Sequence, residues 1–158
     1  MKPERTNVMR LLDAAKAEYT THEYDAEKYI ACDEVASALG QNIETVFKTL
    51  VTVCDKTKEH YVFVIPGGET LDLKKAAKAC GAKSIEMIKQ RDLLPLTGYI
   101  HGGCSPIGMK KFFPTFIDET AELWDTIVFS AGKRGYQVEM NIEELSKVID
   151  FELADLTE

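Results

Sequence analysis

Residues 46–65 constrain the fold more than any other part of the chain. The run Val46-Phe47-Lys48-Thr49-Leu50-Val51-Thr52-Val53-Cys54 is β-branched and almost continuously apolar. Asp55-Lys56-Thr57-Lys58 makes a polar turn, and residues 61–65 return as a partner strand, so the segment predicts a β-hairpin. In the first arm Val46, Lys48 and Leu50 point one way and Phe47, Thr49 and Val51 the other. Both faces are mainly apolar, so the hairpin must be covered on each side by other layers of the chain.

The rest of the sequence supplies those layers. Residues 7–18 carry Val8, Leu11, Leu12 and Ala15 at helical spacing, and residues 19–24 alternate as a short strand. Asp33-Glu34 opens a second helix through Ala38, with Gly40 just past its end. Asp72 is a candidate N-cap for a helix over residues 73–80 closed by Gly81. Ser84 is a candidate cap for another helix running towards Gln90. Strands are expected at residues 98–100, 115–117, 126–129 and 136–140, and Asn141 with Glu144 caps a last helix over residues 142–148. Helices and strands interleave irregularly and no linker divides them, which predicts one α+β domain, residues 1–158, on a mixed sheet.

A chain of 158 residues buries roughly 70% of its unfolded surface, enough for a core without disulfide staples. Nineteen basic and 26 acidic residues give a net charge of −7, which opposes strong non-specific binding to DNA or RNA. No apolar run approaches the roughly 20 residues that span a bilayer, so no membrane partner is expected. Met1-Lys2-Pro3-Glu4-Arg5 leads straight into the amphipathic segment with no apolar signal core, and the expectation is a cytoplasmic protein. Cys32, Cys54, Cys80 and Cys104 form no CxxC or CxxH pair, and His22, His60 and His101 are scattered, so neither a metal site nor a metal cofactor is expected. Cys32, Cys54 and Cys80 read as packing residues.

Three features carry possible chemistry. Lys48 is an ammonium inside an apolar strand: it either snorkels to water from a sheet edge or points into a cleft to hold a phosphate, a ribose hydroxyl or a carbonyl. The segment Gly102-Gly103-Cys104-Ser105-Pro106-Ile107-Gly108 is either a tight surface turn or a site where main-chain groups meet a ligand. Cys104 and Ser105 have no adjacent base and no G-x-S-x-G, which argues against covalent catalysis. The clusters Lys74-Lys75-Lys78, Lys110-Lys111 and Lys133-Arg134 are either solvated surface or, near the glycine turns, a receiver for a phosphodiester. Tyr24, at a strand end, either lines a ligand site or simply packs.

Taken in order, His22-x-Tyr24-Asp25, Val46-Phe47-Lys48-Thr49-Leu50, Leu73-Lys74-Lys75-Ala76-Ala77-Lys78, Gly98-Tyr99-x-x-Gly102-Gly103-x-Ser105-Pro106-x-Gly108 and Gly132-Lys133-Arg134-Gly135 form a familiar constellation. The chain resembles, over nearly its whole length, the YbaK/EbsC family of Cys-tRNA(Pro) deacylases, relatives of the editing domain of bacterial prolyl-tRNA synthetases. The resemblance implies a single compact domain with a mixed, partly barrel-like sheet flanked by helices. It also implies trans-editing of Cys-tRNA(Pro), with the 3′ CCA end of an aminoacyl-tRNA and prolyl-tRNA synthetase as partners. Cysteine and proline are similar in size, so a synthetase pocket cannot separate them well by binding alone.

By the same resemblance Lys48 anchors the 3′-terminal nucleotide, and the substrate's own thiol attacks its ester, leaving a thiolactone. Gly102 and Gly103 hold the α-amine, while Tyr24, Tyr29, His101, Cys104, Ser105, Pro106 and Gln137 shape the substrate site. Lys74, Lys75, Lys110, Lys111, Lys133 and Arg134 are the expected tRNA contacts. The chain departs from the family at His101 and Cys104, often aliphatic there, and at Gln137, where some members carry an acid. Ala31 stands at an aromatic pocket position, with Tyr29 close enough to substitute. The rival readings are an editor of Ala- or Ser-tRNA that uses an activated water, and a non-catalytic module that binds tRNA or the synthetase.

Overall fold

In the computed structural model, which describes residues 5–158, the expected hairpin becomes the spine of a five-stranded sheet. In chain order the elements are α1 (Asn7–Ala14), β1 (Thr20–Glu23), α2 (Cys32–Leu39), β2 (Phe47–Cys54) and β3 (His60–Pro66). Then come α3 (Leu73–Cys80), β4 (Ile85–Met87), α4 (Gln90–Thr97), β5 (Thr115–Asp118), β6 (Ile127–Ser130), β7 (Tyr136–Met140), α5 (Ile142–Leu145) and β8 (Glu152–Ala154). Residues 1–4 of the polar start singled out above lie outside the described residues. Among the described residues, no helix is long and apolar enough to cross a membrane.

The larger sheet has the order β4-β2-β3-β5-β8, with β2 antiparallel to both β3 and β4, and β5 parallel to both β3 and β8. A second, antiparallel sheet has the order β1-β7-β6. A parallel bridge between Val46 and Val128 ties the two together without closing a barrel. The architecture is the expected α+β domain with mixed sheets flanked by helices.

The two-sided cover required by the hairpin is present. Val51, Val62 and Val64 face one core with Leu12, Ile117 and Phe129. Phe63 and Ile65 face a second core with Ala76 and Ala77 of α3, and with Leu156. Phe63 stacks on Phe116 at 5.4 Å between ring centroids. The caps of α3 are those read from the sequence: the Asp72 carboxylate accepts from the N–H of Lys74 and Lys75, and Gly81 closes the helix with φ of 73°.

Several elements differ from expectation. The helix expected from Ser84 is instead the strand β4, because residues 85–87 pair with residues 52–54 of β2 and tertiary pairing overrides local propensity. Helix α4 follows and contains Pro95, whose missing N–H masks it in the sequence. The strand expected at residues 98–100 is a loop, since Gly98 takes φ of 87° to end α4. α1 stops at Ala14, just before Lys16 turns left-handed with φ of 58°, and α5 ends at Leu145. β8 is too short to show a period of its own.

Asp118 fastens the C-terminal segment to this frame. It is 1% exposed, and its carboxylate accepts from the Leu156 N–H at 3.0 Å and from the Thr120 N–H and hydroxyl at 3.3 and 2.6 Å. Asp118→Ala leaves the buried Leu156 N–H without an acceptor, and unfolding in urea should show a loss of about 2–3 kcal/mol. Unchanged stability would mean that the C-terminus is held by its apolar contacts alone.

Candidate functional site

β2 is paired along its length with β3, but its other edge is paired only at the ends. Residues 52–54 meet β4, and Val46 meets Val128 of β6. Between these points β2 and β6 part, and a cleft of about 490 Å³ opens there. Lys48 stands on this open stretch and lines the cleft. The edge and cleft readings of Lys48 therefore describe one place.

The strand registers assemble a polar row at the opening. Val46 and Val128 share a small apolar cluster with Ala36, so they face the same side. Two residues on along parallel neighbours, Lys48 comes beside Ser130. Ser130 stands opposite Gln137, and Gln137 opposite His22. Tyr24, just past β1 and tied by its N–H to the Gly135 carbonyl at 2.9 Å, lines the cleft as well. Among the described residues no carboxylate pairs with the half-buried Lys48 ammonium. A cation held among apolar strands without a protein partner is available to an anionic or carbonyl ligand. Next to it, the Thr49 hydroxyl is buried with no hydrogen-bond partner.

Of the residues proposed from the sequence, the cleft brings together Tyr24, Lys48, His101, Gly102, Cys104 and Gln137. Gly103, Ser105 and Pro106 lie behind the wall as its support. The Gly103 N–H is bonded to the Ile100 carbonyl at 2.9 Å, and the buried Ser105 hydroxyl accepts from the Ile107 N–H at 3.3 Å. The Tyr99 hydroxyl donates to the Ile107 carbonyl, which braces the loop from inside the core. Tyr29 is outside the lining, with the Lys28 ammonium 5.5 Å above its ring, and Ala31 takes the wall position instead.

The basic clusters are placed unequally. Arg134 donates from Nε to the His101 carbonyl at 2.7 Å, and a Cβ on Gly102 would come within 3.0 Å of that nitrogen. Arg134 and Lys133 thus sit against the glycine loop at the rim, and the Lys133 ammonium lies 5.9 Å from the Tyr136 ring centroid. Lys110 lies across Gly98, and protonation of His60 is disfavoured by its burial and then by the nearby Lys111 charge. Lys74 and Lys75 are on α3, outside the cleft lining, and the Lys75 ammonium is held by Asp155 and by the Thr157 carbonyl at 2.7 Å.

The cleft thiols are held neutral. Burial pushes Cys104 up to about 12, so it is protonated at physiological pH. Cys32, read from the sequence as a packing residue, begins α2 and lines the cleft. Burial raises its pKa, opposed by the nearby Lys48 charge. It packs as well: a Cβ on Gly67 would stand 2.0 Å from its sulfur, so residue 67 has room for glycine alone. Ser130 and Cys32 were not legible as site residues, because the long-range Val46–Val128 bridge brings in the first and the packing of α2 the second. The F-K-T run next to Lys48 was the available signal for Thr49.

Residues 27–148 match the family model described as an aminoacyl-tRNA editing domain. The chain is 46% identical over 155 residues to a protein of Enterococcus faecalis named as a proposed Cys-tRNA(Pro)/Cys-tRNA(Cys) deacylase, EbsC, covering 98% of this chain and 94% of that one. It is 31% identical over 104 residues to a proline–tRNA ligase of Shouchella clausii, of which the match spans 18%. A crystal structure described as a proposed trans-editing enzyme for prolyl-tRNA synthetase superposes with a TM-score of 0.81 at 24% identity. That match covers 98% of this chain and 99% of that one, and is a likeness of fold.

Two outcomes follow from this electrostatic arrangement. Alkylation of the native protein at pH 8, read by peptide mass, should modify the half-buried Cys32 well before the buried Cys104, whose thiol burial pushes up to about 12; early modification of Cys104 would contradict its burial. Separately, Glu139 accepts from the Thr126 hydroxyl and pairs with His22 at 2.7 Å, and these contacts hold its pKa below the usual carboxylate value. Because the folded pKa is the lower one, this stabilisation is present above the unfolded value of about 4.3 and is lost as pH falls through the folded one. Glu139→Gln should therefore flatten the acid limb of a stability–pH curve and lower stability at neutral pH. An unchanged acid limb would show that the pair contributes nothing.

Proposed function

The chain belongs to the aminoacyl-tRNA editing domain family, and we propose that it is a trans-editing deacylase that clears cysteine from Cys-tRNA(Pro) by using the substrate's own thiol. The observation that carries this reading is Lys48, an ammonium on the open edge of β2 with no carboxylate partner among the described residues, set near Ser130 and Gln137 and beside two protonated thiols.

In this reading Lys48 holds an oxygen of the 3′-terminal nucleotide and so fixes the ester carbonyl within the cleft. The glycine loop, braced by Tyr99 and Arg134, forms a rigid wall against the aminoacyl group. The substrate sulfur, giving up its proton, bonds to the carbonyl carbon. The carbon–oxygen bond to the ribose breaks, and the ribose oxygen takes up a proton. The β-thiolactone released is then opened by water to free cysteine. Intramolecular attack of this kind draws its rate from orientation, and effective molarities are worth roughly 7–11 kcal/mol. An enzymic nucleophile is not required, which accords with thiols kept neutral by burial. The net charge of −7 favours capture of tRNA together with prolyl-tRNA synthetase over capture by the isolated chain.

Deacylation of Cys-, Ala-, Ser- and Pro-tRNA(Pro) by the purified full chain, in reducing buffer with EDTA, tests the reading. The cysteinyl ester should be lost selectively, and Lys48→Ala should lower kcat by roughly 100-fold or more, as for other groups that position charge in a dry site. Preference for the alanyl or seryl ester would keep the editing activity and discard the thiol route in favour of an activated water. Survival of every ester at the blank rate would leave a binding module.

A further inference from the structure

An amide has two unlike ends, and at Gln137 only one of them is taken within the protein. The residue is 6% exposed, yet it lines the cleft between Ser130 and His22. Its oxygen accepts from Nε2 of Gln41 at 2.9 Å. Gln41 is outside the lining and is itself fixed at the end of α2: Gly40 turns left-handed, and the Gln41 N–H bonds to the Ala36 carbonyl at 2.8 Å.

The polarity of this amide pair follows from what lies behind it. The Gln41 oxygen is buried with no donor. Turning both amides over would place the Gln41 NH₂, with two donors, in that dry position. A buried N–H without an acceptor is rarer than an under-used carbonyl, so the observed pairing is the favoured one. The Gln137 NH₂ group has no hydrogen-bond partner among the described residues, and with the oxygen taken by Gln41 it is the end of the amide left for a ligand.

We infer that Gln41 is a positioning residue that locks the Gln137 amide, so that this wall of the cleft offers a neutral hydrogen-bond donor and takes an acceptor atom of the terminal nucleotide, not the α-ammonium of the acyl group. The inference rests on the reading of the cleft as a site for the 3′ end of an aminoacyl-tRNA. It assigns the two polar ends of that substrate. An ammonium carries donors only and meets the positive end of the N–H dipoles, whereas a ribose, base or phosphate acceptor completes them.

Gln137→Glu tests this with little change of shape: it introduces the acid that some family members carry here into a wall whose polarity, in this chain, Gln41 sets. The introduced carboxylate still accepts from Gln41, but the atom facing the cleft becomes a charged acceptor. Deacylation of the cysteinyl ester should fall about 10-fold or more in kcat/KM, through KM, for a lost hydrogen bond together with like-polarity repulsion. Relative to wild type, whose profile carries the contributions of Asp33, Glu34, His101, His22, Glu139 and Lys48 around the cleft, the deficit should shrink as pH is lowered into the carboxyl range and the introduced group becomes a donor. Gln41→Glu should act in the same direction from outside the cleft, because its carboxylate draws the Gln137 NH₂ away and turns the oxygen inward. Gln137→Met removes the donor without adding charge, and serves if the charged variant fails to fold.

Binding of adenosine and of adenosine 5′-monophosphate, followed by NMR titration, separates this inference from the proposed activity. If wild type hydrolyses no ester, weaker binding of either probe by Gln137→Glu still supports the donor wall. A loss confined to the monophosphate places the acceptor on the phosphate, and a loss with both places it on the nucleoside. Turnover or binding by Gln137→Glu at or above the wild-type level overturns the inference, as does a Gln41→Glu variant that behaves as wild type. Failure of wild type to bind either probe overturns both readings.

Discussion

The cleft exists because β2 is paired along one edge and left open in the middle of the other. Unpaired main chain inside a sheet is costly when dry, so a gap of this kind persists only where something polar reaches it. Here the gap is bounded by the contact of Val46 with Val128 and by the pairing of residues 52–54 with β4. The apolar character of the hairpin keeps both ends of the gap rigid, since β2 and β3 are sandwiched between two cores. Lys48 occupies the gap itself. An ammonium there is neither deeply buried nor loosely solvated, which suits the anchoring role proposed for it.

The glycine loop opposes this edge with a different solution. Its rigidity comes from within the core, through the Tyr99 hydroxyl and the Ser105 turn, and from outside through Arg134. The side chains of Ser105 and Pro106 are spent on holding the turn. The wall is thus a backbone surface with glycine at its closest approach, and Arg134 at the rim is committed to the loop carbonyl. The charged side chains that line the cleft are Lys48 from β2 and Asp33 and Glu34 from the start of α2. None of the cleft thiols is activated, in keeping with the proposed reaction driven by alignment.

Local signals carried the hairpin, the caps of α3 and the prominence of Lys48 and Gly102, because alternation, Asp72 before a helix and glycine clusters are short-range statements. The parts that escaped depend on pairing between distant segments. β4 is a strand since the far end of β2 recruits it. Ser130 belongs to the site because one parallel bridge sets the register of β6 against β2. Cys32 looked like any packing cysteine, and its sulfur does pack against Gly67, yet the start of α2 also carries it into the cleft beside Lys48. Gln41 had no local mark at all, since it is a polar residue after a helix-ending glycine, the commonest place for a solvated side chain.

α2 links these observations. Its middle, at Ala36, covers the Val46–Val128 contact from which the cleft opens. Its start supplies Ala31 and Cys32 to one wall, and its end supplies the Gly40 turn that fixes Gln41 against Gln137. A helix of eight residues therefore sets the opening of the cleft, its apolar wall and the polarity of its donor wall together. Rotation of α2 about its axis by one residue, about 100°, would move Ala36 off the bridge and misplace both ends at once. The shape and polarity of this cleft are for that reason inseparable from how the helix packs.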